Sequence, residues 1–197
     1  MQESFILTED QRLILQTVKH FVEAVVKPRA AALDAERDPE KSFSWEIVEK
    51  ANEVGIRTMT LNEEWGGLGT DSLTTSMVIE ELGTGDVGVS VIMAQTLKIA
   101  QIMQNALNAE QKARVLPKFA KDPRGMLAIG ITEPDNASNY FLPYPVQFRT
   151  IGQKTRGGWI VNGMSISSQT EIAPAFIFYL HKPRRRNLWP KAALAFS

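Results

Sequence analysis

The chain changes from a helical to a strand pattern within one stretch, Asn108-Ala-Glu-Gln-Lys-Ala-Arg-Val-Leu-Pro-Lys-Phe-Ala-Lys-Asp-Pro-Arg-Gly-Met-Leu-Ala-Ile-Gly-Ile131. The first part opens with Asn-Ala-Glu-Gln, a capping pattern that predicts a helix over residues 109–119. The last part, residues 127–131, is a short apolar run that predicts a buried strand. The Asp-Pro-Arg-Gly sequence between them is typical of a turn, so we place a domain boundary after residue 122.

Helical patterns precede this boundary. Thr8 followed by Gln11 has the spacing of a capping box and predicts a helix whose apolar face ends near Pro28. Further helices are predicted at residues 43–55, 72–82 and 89–105. Residues 1–122 are therefore predicted to form an all-α helical bundle.

After the boundary, short β-like runs alternate with Gly, Pro and Asn turns. The runs are residues 127–131, 146–151, 159–161, 175–180 and 192–196. Their length and separation predict a second, β-rich domain over residues 123–197. The chain as a whole is predicted to have an α+β fold.

One Gly-rich stretch, Gly83-Thr-Gly-Asp-Val-Gly88, has the formal spacing of a dinucleotide-binding loop. Such a loop must follow a strand, because the phosphates bind where that strand turns into the next helix. Here an amphipathic helical pattern precedes the glycines. We therefore interpret the stretch as a plain turn between two helices.

Composition excludes several classes of function. The 22 basic residues balance the 22 acidic ones, so no overall field attracts the chain to nucleic acid or to an anionic membrane surface. The absence of cysteine excludes disulfides and thiol catalysis, and two histidines are too few for a typical metal site. With no apolar run as long as a membrane span and no signal-peptide pattern, the sequence predicts a soluble, cytoplasmic protein.

The most informative polar loop follows the first predicted strand and reads Thr132-Glu-Pro-Asp-Asn-Ala-Ser138. It concentrates hydroxyls, turn-forming residues and backbone amides, which together can bind a polar ring edge or a phosphate. The alternative is an ordinary surface turn in which Asp135 and Asn136 bond their own backbone. The residues of the loop alone leave both interpretations open.

Short segments along the chain form an ordered series: Leu7-Thr-Glu-Asp-Gln11, Glu53-Val-Gly55, Asn62-Glu-Glu-Trp-Gly-Gly-Leu-Gly69, Glu80-Glu-Leu82, Glu110-Gln-Lys112, Leu116-Pro117, Ile131-Thr-Glu-Pro134 with Ser138, and Asn162-Gly163. In this order and at this spacing, they resemble the acyl-CoA dehydrogenase family over nearly the whole chain. The resemblance implies a helical N-terminal domain, an antiparallel β-barrel-like middle domain and a C-terminal helical bundle. It implies that the middle domain is incomplete here and that the C-terminal bundle is absent.

The resemblance also implies a cofactor, FAD, and part of its site. The positions expected to contact the flavin are Ile129, Gly130, Ile131, Thr132, Ser138 and Ser168. Thr132 is expected to bond the edge of the isoalloxazine ring, where a hydroxyl and neighbouring amides favour the charge of the reduced ring. Ser138 is expected near the pyrophosphate and the acyl-CoA substrate.

The flavin pattern departs from that of the family in two places. Ala137 stands where the family has glycine, flanked by the further changes Asn136 and Asn139. If that glycine has a positive φ, alanine costs on the order of 1 kcal/mol there. Ile166 stands where the family has an aromatic residue that packs on the flavin. Both departures are expected to weaken flavin binding.

The activity implied by the resemblance is oxidation of the Cα–Cβ bond of an acyl-CoA in fatty acid metabolism. A carboxylate removes the α-proton while the β-hydrogen leaves as hydride to the flavin, and an electron-transfer flavoprotein accepts the electrons. The expected assembly is a homotetramer. The catalytic base is expected beyond residue 197, so no residue of this chain is predicted to be catalytic, and Glu133 is expected to have a structural role.

Two other functions stay open. The first is a non-catalytic relative that acts as an interaction subunit, which the altered flavin pattern and the missing base favour. The second is an acyl-CoA oxidase or a flavin monooxygenase, because these share the scaffold. The residues that distinguish them from a dehydrogenase lie mainly outside this chain.

Overall fold

The structure is a computed structural model that describes residues 6–38, 41–130, 132–136, 148–164, 175–181 and 191–195. Its helices are α1 (Glu9–Phe21), a π-helical segment (Val22–Val26), α2 (Lys27–Ala35), α3 (Trp45–Glu53), two 3-10 turns (Ile56–Thr58 and Glu63–Trp65), α4 (Ser72–Gly85), α5 (Val87–Ala106) and α6 (Ala109–Lys121). Its strands are β1 (Met126–Gly130), β2 (Ile151–Thr155), β3 (Gly158–Asn162), β4 (Ala175–His181) and β5 (Lys191–Ala195). The predicted order of helices followed by strands is confirmed.

Both predicted capping boxes are confirmed. At the start of α1, the Thr8 hydroxyl accepts from the N–H of Gln11 at 3.1 Å, and the Gln11 side chain accepts from the N–H of Thr8 at 3.0 Å. Asn108 and Gln111 make the same pair of bonds at the start of α6, at 2.9 and 3.1 Å. Each pair satisfies amides that a helix N-terminus leaves without partners.

The chain stays helical beyond Pro28, where the predicted apolar face ends, as far as Ala35. The N–H of Lys27 bonds the carbonyl of Val22, five residues back, in the π-helical segment. Pro28 therefore falls in the first turn of α2, where its missing N–H is tolerated. The wider π-helical turn therefore lets the helix continue past a proline, which would otherwise interrupt it.

The Gly83–Gly88 stretch is a turn between two helices, as predicted. α4 ends at Gly85 and α5 begins at Val87, so a helix and not a strand precedes the turn. Asp86 between them caps α5 by accepting from the N–H of Val89 at 2.7 Å. This arrangement leaves no place for a dinucleotide-binding unit at these glycines.

Two buried hydrophobic clusters form the core of the helical part, and β1 contributes to both. The first cluster combines residues of α1, the π-helical segment, α3, α4 and α5, and includes Met126. The second combines α5 and α6 with Leu61, and includes Leu127. Met126 and Leu127 are fully buried. Because successive residues of a strand point to opposite faces, β1 inserts one side chain into each cluster.

The strands form two separate units among the described residues. One is a three-stranded sheet in the order β1-β4-β5, and the other is the antiparallel hairpin of β2 and β3. The antiparallel prediction is correct for β4 with β5 but wrong for β1 with β4, which are parallel. The connection over residues 131–174 is far longer than the dozen or so residues that a parallel crossover needs. Closure into a barrel stays a prediction.

Four of the five predicted strand runs lie largely within observed strands, and the fifth, 146–151, shares only Ile151 with β2. For the run 146–151, residues 146 and 147 lie outside the described residues, and residues 148–150 are not in a strand. The strand there is β2, which begins only at Ile151 and continues through polar, mostly exposed residues. No helix among the described residues is long and apolar enough to cross a membrane.

Candidate functional site

A closed turn follows β1 and contains the residue on which the flavin prediction depends. The N–H of Glu133 donates to the carbonyl of Asn136 at 2.8 Å, and the N–H of Asn136 donates to the carbonyl of Glu133 at 3.1 Å. Pro134 and Asp135 form the tip. Thr132, between β1 and this turn, is half-buried and makes no side-chain hydrogen bond to another described residue. A threonine hydroxyl can act as a hydrogen-bond donor or as an acceptor.

Glu133 ties this turn to the segment that enters β2. Its side chain is 4% exposed, and its two carboxylate oxygens accept from the backbone N–H groups of Arg149 at 2.6 Å and Thr150 at 2.8 Å. Burial alone would raise the pKa of Glu133, but the hydrogen bonds from Thr150 and from the Arg149 backbone outweigh it and lower the pKa. These contacts support the predicted structural role of Glu133.

Two further contacts hold the same segment. Arg149 pairs with Asp135 at 2.7 Å on the surface, so the turn and the segment are joined by a charge pair as well. At the end of β3, a Cβ added to Gly163 would lie 2.1 Å from Oγ1 of Thr150, which shows how closely the backbone there approaches Thr150. The turn after β1 and the β2–β3 hairpin are thus linked at the residues around Thr150.

A buried arginine fixes the junction between α6 and β1. Arg57 is 0% exposed and donates to the carbonyls of Gly125 at 2.9 Å and Ala120 at 3.1 Å. It also donates twice to Oδ1 of Asn52, and its guanidinium lies 4.6 Å from the centroid of the Phe119 ring. Burial lowers the pKa of Arg57 to about 10, so it stays charged at neutral pH.

Sequence reasoning missed Arg57, although one signal was present. It is the only charged residue in the run Gly55-Ile-Arg-Thr-Met-Thr-Leu61, and a charge inside an otherwise buried segment needs partners. Apart from Asn52, five positions away, the partners lie more than 60 positions away along the chain. Because Gly125 and Ala120 are so far from Arg57 in sequence, these hydrogen bonds could not be predicted.

α5 holds β1 from its other side. The hydroxyl of Thr96, which is fully buried, accepts from the N–H of Leu127 at 3.3 Å and lies 3.8 Å from the sulfur of Met126. Arg57 and Thr96 thus fix the beginning of β1, and β4 pairs along its length to Gly130. These contacts hold the strand up to Gly130, two residues before Thr132.

An apolar groove lies on the helical surface. Its cavity of about 360 Å³ is lined by α1, by the turn around Gly55 and by Leu68. Three of its apolar side chains are substantially exposed: Leu13 (62%), Leu68 (54%) and Val54 (42%). Asp10 and Thr17 supply its polar edge. Exposed apolar side chains grouped around a concave surface are typical of a binding site for another molecule.

The structure places half of the predicted flavin residues. Ile129, Gly130 and Thr132 lie together at the end of β1 and just beyond it, where Ile129 packs against the second hydrophobic cluster. The other three, Ile131, Ser138 and Ser168, lie outside the described residues. So do the departures Ala137, Asn139 and Ile166. No group of three or more potential metal ligands occurs among the described residues.

A family model and a related sequence both match acyl-CoA dehydrogenases. Residues 8–122 match the family model described as acyl-CoA dehydrogenase, N-terminal domain. The chain is 29% identical to the short-chain specific acyl-CoA dehydrogenase of Clostridium acetobutylicum over 185 residues, which cover 92% of this chain and 46% of that protein. The chain therefore spans about half the length of this relative.

Solved structures share the fold. A structure described as PigA with FAD and proline superposes with a TM-score of 0.80 at 25% identity, covering 98% of this chain and 49% of that one. A structure described as an electron transferring flavoprotein of Acidaminococcus fermentans has a TM-score of 0.71 at 25% identity, covering 91% of this chain and 45% of that one. The helical part and the strands together therefore follow a known arrangement.

Proposed function

The chain belongs to the acyl-CoA dehydrogenase family, and on that premise we propose that it forms part of the FAD site of an enzyme that desaturates an acyl-CoA thioester. The observation that carries the proposal is the half-buried Thr132 hydroxyl at the end of β1. It is fixed between a paired strand and a closed turn, and it has no hydrogen-bond partner among the described residues.

The residues present fit a flavin. The pyrimidine edge of the isoalloxazine ring offers both carbonyl acceptors and an N–H donor, and a threonine hydroxyl can satisfy either kind. We propose that Ile129, Gly130, Ile131, Thr132, Ser138 and Ser168 contact the cofactor, and that Ser138 also approaches the acyl-CoA. Bound FAD supplies the acceptor for the hydride that leaves the β-carbon.

The general base is proposed to lie outside this chain. Glu133 is the acidic residue nearest to Thr132 in sequence, but both of its carboxylate oxygens already accept backbone N–H groups. Its pKa is lowered, whereas a general base that works near neutral pH needs a raised one. Thr132 is therefore proposed to orient the flavin, and the proton is taken by a residue other than Glu133.

The electron acceptor of the whole enzyme is proposed to be an electron-transfer flavoprotein, because the chain belongs to the acyl-CoA dehydrogenase family.

A non-catalytic interaction subunit is the second candidate. The altered positions Ala137 and Ile166 favour it, because both stand where the family pattern has a flavin contact. An oxidase or monooxygenase relative is a further alternative. Division into domains at residue 122, closure of a barrel, assembly into a tetramer and a cytoplasmic location all stay predictions.

Binding of FAD is the experiment that tests the proposal. The purified chain is titrated with FAD, with flavin fluorescence as the readout. Thr132→Val should weaken binding by about tenfold, since it removes one hydrogen bond to the ring while keeping the shape of the side chain. Thr155→Val, at an exposed position of β2, should leave binding unchanged. A wild-type chain that binds no FAD at high concentration would contradict the proposal and favour the interaction subunit.

A further inference from the structure

We propose that Glu133 is a positioning residue that sets the place of Thr132 by bridging the turn after β1 to the segment that enters β2. The inference rests on the proposed function, in which Thr132 contacts the flavin. Glu133 itself touches neither cofactor nor substrate in this proposal. It acts through its neighbour.

The bridge is built from both carboxylate oxygens. Arg149 and Thr150 present consecutive backbone N–H groups just before β2, and Glu133 accepts one with each oxygen, at 2.6 and 2.8 Å. Only an ionised carboxylate offers two acceptor oxygens to two such donors. Because the side chain is 4% exposed, water competes poorly for these bonds.

The main chain of Glu133 is held as firmly as its side chain. Its N–H and its carbonyl both bond Asn136, at 2.8 and 3.1 Å, so the peptide plane that joins Thr132 to Glu133 is fixed. On the other side of Thr132, Gly130 is paired with Tyr179 in the sheet. Thr132 therefore lies between two anchored points, and at the second one the Glu133 carboxylate supplies the buried bonds to the segment before β2.

The position of Thr132 matters because a hydrogen bond to a ring edge is directional. Such a bond weakens steeply when the donor and acceptor move apart or lose alignment. Loss of the bridge would free residues 132–136 to shift against the β2–β3 hairpin. Thr132 would then keep its hydroxyl, but the hydroxyl would no longer be aligned with the ring edge.

Glu133→Gln is the direct test, with Asp135→Asn as the matched control. Glutamine keeps the size of the side chain, but it has one acceptor oxygen and turns an NH₂ group toward the second backbone N–H. Asp135 lies in the same turn and loses a surface ion pair with Arg149, but it makes no bond to the Arg149 or Thr150 amide. The measurements are backbone amide exchange, the NMR signals of Thr132 and the affinity for FAD.

We expect Glu133→Gln to accelerate amide exchange of Arg149 and Thr150 by about tenfold or more and to shift the amide and methyl signals of Thr132. FAD affinity should fall about tenfold, and adding Thr132→Val to Glu133→Gln should cost little more, because both variants remove the same contact. Asp135→Asn loses only an exposed ion pair, so it should change each of these by less than about twofold. Glu133→Asp should recover part of the exchange protection.

Two results would overturn the inference. One is a Thr132 signal that does not move although the Arg149 and Thr150 amides exchange faster. The other is full additivity of Glu133→Gln and Thr132→Val in FAD binding. Failure of the wild-type chain to bind FAD counts against the proposed function alone, since the Thr132 signals test the positioning without flavin. Far-ultraviolet circular dichroism checks that each variant keeps its helices, and Glu133→Asp replaces Glu133→Gln if the latter unfolds.

Discussion

The guanidinium of Arg57 joins the end of α3 to a region more than 60 positions further along the chain. It bonds Asn52 at the end of α3, Ala120 near the end of α6, and Gly125 just before β1. A lysine could not replace it, because only the planar fork of arginine reaches several acceptors in different directions. The stability of the junction therefore depends on one side chain.

Arg57→Met should lower the free energy of unfolding by about 2–5 kcal/mol, because it leaves buried carbonyls without donors. Arg124→Met is the control. Arg124 also lies over an aromatic ring, that of Trp45, and pairs with Glu49, but its side chain is 55% exposed. A loss below about 1 kcal/mol is expected for an exposed pair. Urea unfolding measures both, and equal losses would show that burial of Arg57 adds nothing.

The Glu133 bridge should give stability that depends on pH. The pKa of Glu133 is lower in the folded chain than its ordinary value of 4.5, so ionisation stabilises the folded state. This contribution is complete above the ordinary value and is lost as the pH falls through the lowered folded pKa. The charged groups that face the bridge, Arg149 and Asp135, form their own ion pair.

We therefore expect the stability difference between the wild type and Glu133→Gln to be largest near neutral pH and to shrink once the pH falls below 4.5. Urea unfolding over a pH series measures it. Asp135→Asn serves as the reference for a surface carboxylate in the same turn. A difference that stays constant from neutral to acid pH would show that the charge of Glu133 does not contribute.

The helices were more predictable from sequence than the strands. Capping boxes such as Thr8 with Gln11 and the apolar faces that follow them are local signals, so element type and order could be predicted. The continuation of the first helix through Pro28 could not, because it depends on a π-helical segment. Of β2 only Ile151 was predicted, because the other residues of the strand are polar and mostly exposed and its pairing with β3 defines it. At the candidate site, the motif predicted a role for Thr132, which stays a prediction. The partners of Glu133 could not be predicted, because they lie 16 and 17 positions away.

Close packing of α4 on the π-helical segment is an element-scale property that can be tested with two glycines. A Cβ at Gly85 would lie 2.8 Å from Cγ1 of Val22 and 3.0 Å from Cγ1 of Val26. Both valines are stiff at χ1 and cannot move aside cheaply. At Gly83 in the same helix, the nearest atom is Oγ of Ser90 at 3.7 Å, which is an ordinary contact.

Gly85→Ala should therefore destabilise the chain by about 1–3 kcal/mol through overpacking. Gly83→Ala should stabilise it by about 0.5–1 kcal/mol, because alanine is the better helix former. Opposite shifts in the thermal midpoint of the two variants would support the close packing. A stabilising Gly85→Ala would mean that α4 and the π-helical segment have room to adjust.

At the scale of the whole molecule, the packing of β1 contributes to the stability of the helices that precede it. Met126 enters the first hydrophobic cluster and Leu127 the second, while Arg57 and Thr96 bond the main chain at and before these residues. A boundary at residue 122 marks where the secondary structure changes. It does not mark where the helical core ends, because that core is completed by two side chains of the strand.

Leu127→Ala should accordingly destabilise the helices, although the substitution lies in a strand. A loss of about 2–5 kcal/mol is expected from the missing side chain and the cavity it leaves. The midpoint of urea unfolding, followed by the helical signal in circular dichroism, measures it. Ile160→Ala on the β2–β3 hairpin is the control, because Ile160 is 52% exposed and lies in neither cluster. If the helical and β-rich parts were independent, Leu127→Ala would leave the helical midpoint where it is. A lower helical midpoint in Leu127→Ala would instead mean that β1 and the helices unfold together, so the turn that follows β1 depends on the stability of the helices.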